Sequence, residues 1–199
     1  MEDIKNSAGL TEEEFLKQYK PSDYERPSVT VDMLILCMNK CLENLKVLLI
    51  QRKDHPYINQ WALAGGFVGI KESTYEAAVR ELKEETGLEN IYLEQLYTMS
   101  QPDRDPRMRV IDVAYIALIQ EQGVKAGDDA KDALWFDITT FNNEKLILQN
   151  KEKNITIEYN LTKKTFKNGV INIEGFVPVH CNGEKLAFDH AEIILEGLL

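Results

Sequence analysis

Five glutamates lie in one short stretch of the sequence, residues 66–88, together with a single arginine, Arg80. Acidic side chains packed this densely along a helix repel one another unless a cation lies among them. Carboxylate oxygens are the ligands that Mg²⁺ and Mn²⁺ prefer, because these hard ions bind oxygen and keep several waters. The stretch is therefore a candidate divalent-metal site, and its chemistry would be the activation of a metal-bound water.

The same stretch carries the signals of a helix that spans about 73–86. Ser73 followed three places later by Glu76 is the pattern of a capping box, and Gly87 is a natural C-terminal stop. One buried face is predicted from the residues that recur at helical spacing, which are Tyr75, Ala78, Val79, Leu82 and Thr86.

Three of the glutamates are expected to line the edge of a cleft. At about 100° per residue, Glu81, Glu84 and Glu85 fall on one arc beside the buried face. Glu81 and Glu85 stand one turn apart and can share a cation. Arg80 can reach Glu76 or Glu84 and hold the neighbouring carboxylates in place. The competing interpretation is a solvated charged helix surface, which the small number of basic residues in the stretch disfavours.

The stretch matches every position of the pattern G-x5-E-x7-R-E-U-x-E-E-x-G-U, with Leu82 and Leu88 at the aliphatic U positions. This pattern is the signature of the Nudix hydrolases, which the chain therefore resembles. Three further segments are similar to the ADP-ribose pyrophosphatase-like branch of this family: WALAGGFV at 61–68, DRDPR at 103–107 and AFDHAEI at 187–193. Ala64 departs from this branch, which usually has proline at that position, but the change removes no ligand.

The resemblance implies a set of ligands for Mg²⁺ or Mn²⁺. Glu81 and Glu85 are its leading ligands, Glu84 comes next, and the backbone carbonyl of Gly65 adds another. Glu72 is expected to hold the loop or the signature arginine instead of binding metal. A bound metal would lower the pKa of a coordinated water and stabilise the charge that develops on phosphorus.

The general base and the phosphate clamps are expected in the loop that carries the DRDPR segment. Asp103 and Asp105 are candidates for the base; alternatively, Asp105 and the proline after it shape a turn. Arg104 and Arg107 are expected to clamp substrate phosphates, because a guanidinium donates two parallel hydrogen bonds, or else to form surface ion pairs. Arg52, after the second predicted strand, is a further candidate for substrate binding.

Two aromatic residues and one histidine have open roles. Trp61 and Tyr115 either stack on an adenine or belong to the core. His190 is expected to cap or orient the last helix, with a place at the edge of the substrate as the alternative. The three histidines of the chain have no zinc-ligand spacing.

Composition predicts one compact enzyme domain in the cytoplasm. The 199 residues are 44% hydrophobic, which suffices for one full core. No apolar run approaches the roughly 20 residues that cross a bilayer, and the N-terminus lacks the signal-peptide order. Cys37, Cys41 and Cys181 form no disulfide framework and are expected to be reduced thiols. A net charge of −10 weighs against a nucleic-acid partner, because such partners are bound through lysine and arginine.

The resemblance implies an α+β fold: the Nudix α/β/α sandwich with a mixed central sheet, here with a β-hairpin elaboration before the C-terminal helix. We expect a helix and extension over 1–26 and a single domain over 27–199. A β-rich insert at about 149–182 is interpreted as an extra sheet edge, a lid or a dimer contact, and the last is preferred because the resemblance implies a homodimer. Some members of the branch carry a winged-helix domain after the Nudix domain, which is not expected here because the chain ends at Leu199.

Periodicity and turn residues predict the elements that position these side chains. The predicted helices span 11–19 and 187–198, besides the acidic helix described above. The first strands are a hairpin from 28–38 and 44–51, followed by strands over 93–100, 108–120 and 133–137, with a polar loop over 122–132. An alternating strand over 155–161 leads to the Asn168-Gly169 turn, and a return strand over 170–177 is ended by Pro178.

Three functions stay open from the sequence. The first is a metal-dependent pyrophosphatase that splits ADP-ribose or a similar molecule linked to a nucleoside diphosphate. The second is an enzyme of the same kind that acts on nucleoside triphosphates. The third is a non-catalytic ligand sensor on the same fold, against which the intact set of Glu81, Glu84 and Glu85 argues.

Overall fold

The computed structural model describes residues 4–38, 44–120, 122–127 and 130–199, and one mixed sheet runs through them. Its strands are β1 (Ser28–Met38), β2 (Leu45–Arg52), β3 (Trp61–Ala62), β4 (Ala64–Phe67), β5 (Glu94–Met99), β6 (Val110–Gln120), β7 (Ala130–Phe141), β8 (Lys145–Asn150), β9 (Ile155–Asn168) and β10 (Ile171–Gly183). The α-helices are α1 (Glu12–Gln18), α2 (Thr74–Thr86) and α3 (His190–Leu198).

The strand order is β10-β9-β8-β7-β2-β1-β6-β5, with β3 paired to β2 and β4 paired to β1. The pair β1–β6 is parallel, and the other pairs of these strands are antiparallel. The predicted hairpin of β1 and β2 and the predicted pair of β5 and β6 are both present. The mixed character of the sheet is therefore confirmed.

Helices α2 and α3 cover opposite faces of the sheet. Successive side chains of a strand point to opposite faces. In β1, Val31, Met33 and Ile35 share a core with α2, whereas Leu34 and Leu36 share a second core with α3. The predicted α/β/α sandwich is thereby confirmed, and β1 is almost wholly buried because both of its faces are covered.

Helix α2 begins and ends as the sequence predicts. The Ser73 hydroxyl accepts from the Glu76 N–H at 3.2 Å, and the Glu76 carboxylate accepts from the Ser73 N–H at 2.7 Å. Gly87 ends the helix with a φ of 72°, a conformation that glycine adopts without steric cost. The capping box and the glycine stop are both local signals, and they position the acidic face of the helix.

The predicted buried face of α2 is partly wrong. Tyr75 and Val79 are 43% and 39% exposed, although Ala78, Leu82 and Thr86 are buried as predicted. The helix packs against β4, which begins with the small residues AGG, and one glutamate lies on the buried side of the helix. The buried residues are Ala77, Ala78, Leu82, Glu85 and Thr86.

The insert continues the main sheet. Strands β8, β9 and β10 pair in sequence order beyond β7, so the insert supplies the sheet edge that was one of its three predicted roles. The Asn168-Gly169 turn joins β9 to β10, with a φ of 61° at Gly169. The predicted β-hairpin elaboration is present, with β8 as an additional strand that was not predicted.

Several boundaries differ from the prediction, three of them in ways that have a clear structural meaning. The strand placed at 133–137 runs from Ala130 to Phe141. Strand β10 does not end at Pro178 but continues to Gly183, because it is the outermost strand and a proline there breaks no ladder on its free side. Helix α3 begins at His190 instead of 187, after the N-cap Asp189.

The N-terminal segment holds α1 at the surface. Thr11 and Glu14 form a capping box, and none of the α1 residues is buried. The division between an extension over 1–26 and a domain over 27–199 stays a prediction, and Cys41 with the β1–β2 connection lies outside the described residues. Within the described ranges, no helix combines the length and the apolar character needed to span a membrane.

Candidate active site

A cavity of about 470 Å³ opens where α2, β1 and β4 meet the end of β2, the loop after β5 and the segment before α3. This volume is ordinary for a small-molecule site. Charged side chains dominate its lining, and those used below are Asp32, Arg52, Glu81, Glu85, Arg104 and Arg107. All of these except Asp32 were predicted as site residues, and they come together from parts of the chain that are far apart in sequence.

Glu85 is the most enclosed glutamate of α2. The residue is 8% exposed, and its Oε2 accepts a hydrogen bond from the Gly65 N–H at 2.7 Å. Burial raises the pKa of Glu85 to about 8; the Gly65 hydrogen bond opposes this rise, and the charges of Glu81 and Asp32 add to it. A buried carboxylate beside like charges favours a proton or a cation.

Glu81 lies one turn before Glu85, where β4 comes close to α2. Its side chain is 15% exposed, and burial raises its pKa even though Arg80 lies 2.7 Å from Oε1. A Cβ built on Gly66 would lie 2.3 Å from the same Oε1, so glycine is what allows this approach. Glu84, by contrast, has a side chain that is 58% exposed and lies outside the cavity lining. The predicted arc of three carboxylates therefore has two members at the cavity.

Arg80 ties the carboxylates of α2 together. It donates to Glu72 through Nε at 3.1 Å and through Nη2 at 2.7 Å. Its Nη1 donates to Glu81 at 2.7 Å and to Glu84 at 3.1 Å, and its Nη2 also donates to the Phe67 carbonyl at 3.1 Å. One guanidinium thus fixes the direction of three carboxylates and of the end of β4.

Glu72 holds the loop before α2, as the sequence led us to expect. Its carboxylate receives Arg80 and also accepts from the Gly69 N–H at 2.7 Å. Hydrogen bonds from Arg80 and Gly69 lower the pKa of Glu72 to about 2. Of the two alternatives for Arg80, Glu84 is contacted, whereas Glu76 serves the helix cap.

The two cavity glutamates fit a hard divalent cation such as Mg²⁺ or Mn²⁺. Two carboxylates, a backbone carbonyl such as that of Gly65, and waters make a donor set that Mg²⁺ accepts. Within the described ranges, no three His, Cys, Asp or Glu side chains form a ready metal cluster. Glu81 accepts from Arg80 and Glu85 from the Gly65 N–H. Backbone, water or ligand oxygens would therefore complete the coordination.

Two arginines of the cavity lie beside two phenylalanine rings. The guanidinium carbon of Arg107 lies 5.2 Å from the Phe67 centroid and 5.8 Å from the Phe188 centroid. That of Arg52 lies 5.1 Å from the Phe188 centroid. Both guanidiniums lie against the same Phe188 ring, and burial, followed by the charge of Arg107, lowers the pKa of Arg52. An anionic ligand would stabilise this arrangement.

A family model of the NUDIX domain matches residues 27–157. The chain belongs to the Nudix family. The matched range contains the whole 66–88 stretch, so the resemblance drawn from the signature is confirmed, and the chain is a Nudix hydrolase by family.

Sequence relatives of this Nudix chain include an enzyme and a regulator. An ADP-ribose pyrophosphatase of Methanocaldococcus jannaschii is 44% identical over 137 residues, which are 66% of this chain and 76% of that protein. The ADPR-responsive transcriptional repressor NtrR of Acinetobacter baylyi is 42% identical over 111 residues, which are 55% of this chain and 44% of the repressor.

Solved structures extend the Nudix likeness over most of the chain. A MutT/nudix family protein from Enterococcus faecalis superposes with a TM-score of 0.76 at 42% identity, covering 94% of this chain and 68% of that one. The NUDIX domain of Shewanella oneidensis NrtR complexed with ADP-ribose superposes with a TM-score of 0.68 at 26% identity, covering 95% and 97%. A coverage this high includes most of β8–β10, so these strands belong to the shared fold.

Arg104 is placed differently from the prediction. Its side chain is 4% exposed, and Nε and Nη2 donate to the two oxygens of Asp189 at 2.8 Å and 2.6 Å. Nη2 also lies 3.7 Å from Asp32 Oδ2. Arg104 was predicted to clamp a phosphate or to form a surface ion pair. It forms a buried ion pair instead, although it does line the cavity. The guanidinium joins the loop after β5 to the start of α3.

Asp105 forms a second ion pair in the same loop. It is buried, and its oxygens accept from Arg107 Nε at 3.0 Å, from Nη2 at 2.7 Å and from the Arg107 N–H at 2.9 Å. Burial raises the pKa of Asp105, but the hydrogen bonds from Arg107 outweigh it and leave the pKa below its ordinary value. A carboxylate held in this way is a weak proton acceptor, which disfavours the general-base role. Asp103 is exposed and outside the cavity lining.

Trp61 is a core residue, and the prediction that it binds substrate is wrong. It is 2% exposed and packs edge-on against Phe136 with ring centroids 4.8 Å apart. Tyr115 is buried as well. The aromatic rings that line the cavity are Phe67 and Phe188, which the sequence reasoning missed. Both rings lie inside segments that resemble the ADP-ribose pyrophosphatase-like branch, and this resemblance was the signal from which they could have been predicted.

His190 orients α3 and also lines the cavity. The Leu63 N–H donates to Nδ1 at 2.8 Å, which leaves the imidazole proton on Nε2, 3.4 Å from Asp32 Oδ2. Burial raises the pKa of Asp32, but interactions with His190 and Arg104 outweigh it and leave the pKa below its ordinary value. Asp32 is thus an ionised carboxylate held from two sides.

Asp112 completes this buried polar network. It is 0% exposed, and its Oδ1 accepts from Thr30 Oγ1 at 2.9 Å. Its Oδ2 has no hydrogen-bond partner among the described residues. Burial and the charge of Asp32 raise the pKa of Asp112, which favours its protonated form.

We expect Asp112→Asn to gain stability relative to the wild type as the pH rises. The folded chain binds a proton at Asp112 that the unfolded chain releases above about pH 4. This contribution to the free energy of unfolding is complete below that pH and is lost as the pH rises through the raised pKa of the folded state. Urea unfolding at about pH 5 and about pH 8.5 measures the effect. A difference between variant and wild type that stays constant with pH would contradict it.

Proposed function

We propose that the chain is a divalent-metal-dependent hydrolase that cleaves the diphosphate bond of ADP-ribose or a similar nucleoside diphosphate derivative, giving AMP and a phosphorylated moiety. The observation that carries the proposal is the division of charge in the cavity. Glu81 and Glu85 supply negative groups that need a cation, and Arg52 and Arg107 supply positive groups that need an anion. A diphosphate with a bound divalent metal satisfies both.

The acidic residues of α2 would hold the metal. Glu81 and Glu85 are the proposed ligands together with the Gly65 carbonyl, and Glu84 is a third candidate that would have to turn inward from its exposed position. When bound, the metal supplies an activated water and neutralises charge on the phosphates. Arg80 keeps the carboxylates aligned through the hydrogen bonds it donates to them.

The arginines would bind the diphosphate. Arg107 and Arg52 present guanidiniums that can donate paired hydrogen bonds to phosphate oxygens. Asp105 is proposed to act by aiming Arg107 instead of accepting a proton, because three hydrogen bonds already join the two residues. ADP-ribose is favoured as the ligand because the enzyme relative is an ADP-ribose pyrophosphatase and the NrtR domain was crystallised with ADP-ribose.

A ligand sensor is the second candidate function. The similarity to an ADPR-responsive repressor favours it, since that protein is named for responding to the same molecule. Glu81 and Glu85 favour the enzyme, because a sensor that only binds ADP-ribose has no need for two buried carboxylates at its ligand.

A substrate screen separates these functions. Nucleoside diphosphate derivatives and nucleoside triphosphates are incubated with Mg²⁺ or Mn²⁺, with Glu85→Gln as the blank, and the products are separated by ion-exchange chromatography. We expect AMP and ribose 5-phosphate from ADP-ribose. A monophosphate with pyrophosphate from a triphosphate as the main reaction would favour the second enzyme function. Bound ADP-ribose without any product would favour the sensor.

A homodimer without a nucleic-acid partner is part of the same proposal. The net charge of −10 supports the absence of duplex binding. Exposed apolar side chains on the N-terminal segment, among them Phe15, Leu16 and Tyr24, support a protein contact there. Static light scattering would give the number of subunits, and a monomer at all concentrations would remove the dimer from the proposal.

A further inference from the structure

The ring of Phe188 lies against both arginines of the proposed diphosphate site. The guanidinium carbons of Arg52 and Arg107 lie 5.1 Å and 5.8 Å from its centroid. Both distances are within the range of attraction between a cation and an aromatic face. Tyr57 meets the ring edge-on at 4.7 Å, and His190 stacks on it at 5.4 Å. The ring is therefore held by neighbours while it contacts two charges.

The backbone holds this ring in a rarely used conformation. Phe188 has a φ of 49°, which side chains with a bulky Cβ substituent seldom adopt. Its neighbours are anchored on both sides: the Ala187 N–H donates to the Trp61 carbonyl at 2.7 Å, and Asp189 holds Arg104. Such conformations persist where surrounding contacts determine them, and they concentrate at functional sites.

The two arginines need a common support because their charges repel. Arg52 is tied to the chain through Nε, which donates to the Pro56 carbonyl at 2.7 Å, and Arg107 is tied through Asp105. These ties lie at different segments and do not by themselves set the separation of the two guanidiniums. The ring of Phe188 contacts both and can set it.

We propose that Phe188 is a positioning residue that sets the separation and direction of Arg52 and Arg107, so that the two guanidiniums bind one diphosphate group together. The proposal rests on the proposed function only for the identity of the complete ligand, since a diphosphate group is enough to engage both arginines. Its effect is on ligand binding, because the charged groups that the ring contacts are the two guanidiniums.

Binding of inorganic pyrophosphate tests the proposal without metal or turnover. Calorimetry in EDTA compares the wild type with Phe188→Leu and Phe188→Met, which lack a ring, and with Phe188→Tyr, which keeps one. We expect the ringless variants to bind about tenfold more weakly and Phe188→Tyr to bind within about threefold of the wild type. Wild-type affinity in a folded ringless variant, an equal loss in Phe188→Tyr, or no pyrophosphate binding by the wild type would overturn the proposal.

A double-mutant cycle separates positioning from general damage. If Phe188 acts through Arg52, adding Phe188→Leu to Arg52→Ala weakens pyrophosphate binding by much less than the tenfold expected alone. Full additivity would overturn the proposal. With ADP-ribose and Mg²⁺, we expect Phe188→Leu to raise KM while kcat stays within about threefold. Absence of turnover in the wild type would refute the proposed function and leave the pyrophosphate result standing.

Discussion

Glu85→Gln should lower the turnover of ADP-ribose with Mg²⁺ by roughly 10²–10⁴-fold. Glu85 is the buried carboxylate of α2 at the cavity, and an amide in its place removes the charge that a divalent ion needs. A ligated metal contributes several kcal/mol of charge stabilisation to the transition state, and each tenfold in rate corresponds to about 1.4 kcal/mol. Steady-state kinetics with quantified AMP measures the loss.

The matched control for this variant is Glu89→Gln. Glu89 follows α2, its side chain is 54% exposed, and it pairs with Lys83 at 3.0 Å outside the cavity. We expect its turnover to stay near that of the wild type. Glu84→Gln should fall between the two, because its carboxylate is exposed but shares Arg80 with Glu81. Unchanged turnover in Glu85→Gln would mean that the metal assignment is wrong.

Arg104→Ala should lower the free energy of unfolding by about 3–5 kcal/mol, because it leaves a partly buried carboxylate without its partner. The pair of Arg104 and Asp189 joins the loop after β5 to the N-cap of α3, so both elements lose a common anchor. Urea unfolding of the variant and the wild type under the same conditions measures the difference.

Arg107→Ala is the control, since it lies in the same loop and its side chain is 38% exposed. The Arg107 N–H still donates to Asp105 after this substitution, and the lost guanidinium is partly exposed, so we expect a smaller loss of stability and a larger loss of ADP-ribose binding. Arg104 would then have a structural role, and Arg107 would bind the ligand. Equal stability of Arg104→Ala and the wild type would return Arg104 to the predicted role of phosphate clamp.

Local signals in the sequence were sufficient for the acidic helix. The Ser73–Glu76 capping box and the Gly87 stop act within a few residues, and both are present in the structure. Both features depend on short-range backbone geometry, which residue types and spacing specify directly. The contact between Glu72 and Arg80 was expected from the family resemblance instead.

The corrections concern contacts between distant segments. Arg104 meets Asp189 across 85 residues of sequence, and Trp61 meets Phe136 in the core between the strands and α3. Residue type alone does not tell whether an arginine faces a phosphate or a buried aspartate, since both offer the same paired oxygens. Burial, which the tertiary fold decides, makes the distinction. The end of strand β10 also depends on the tertiary fold, because a strand continues through a proline such as Pro178 only where it lies at a sheet edge.

Phosphorus-31 NMR of ADP-ribose with the wild-type protein and Mg²⁺ tests the central claim most directly. If the acidic and basic sides of the cavity act together on a diphosphate, the two diphosphate signals disappear and are replaced by the phosphomonoester signals of AMP and ribose 5-phosphate. An intact diphosphate in the presence of Mg²⁺ or Mn²⁺, with ADP-ribose bound to the protein, would contradict the claim.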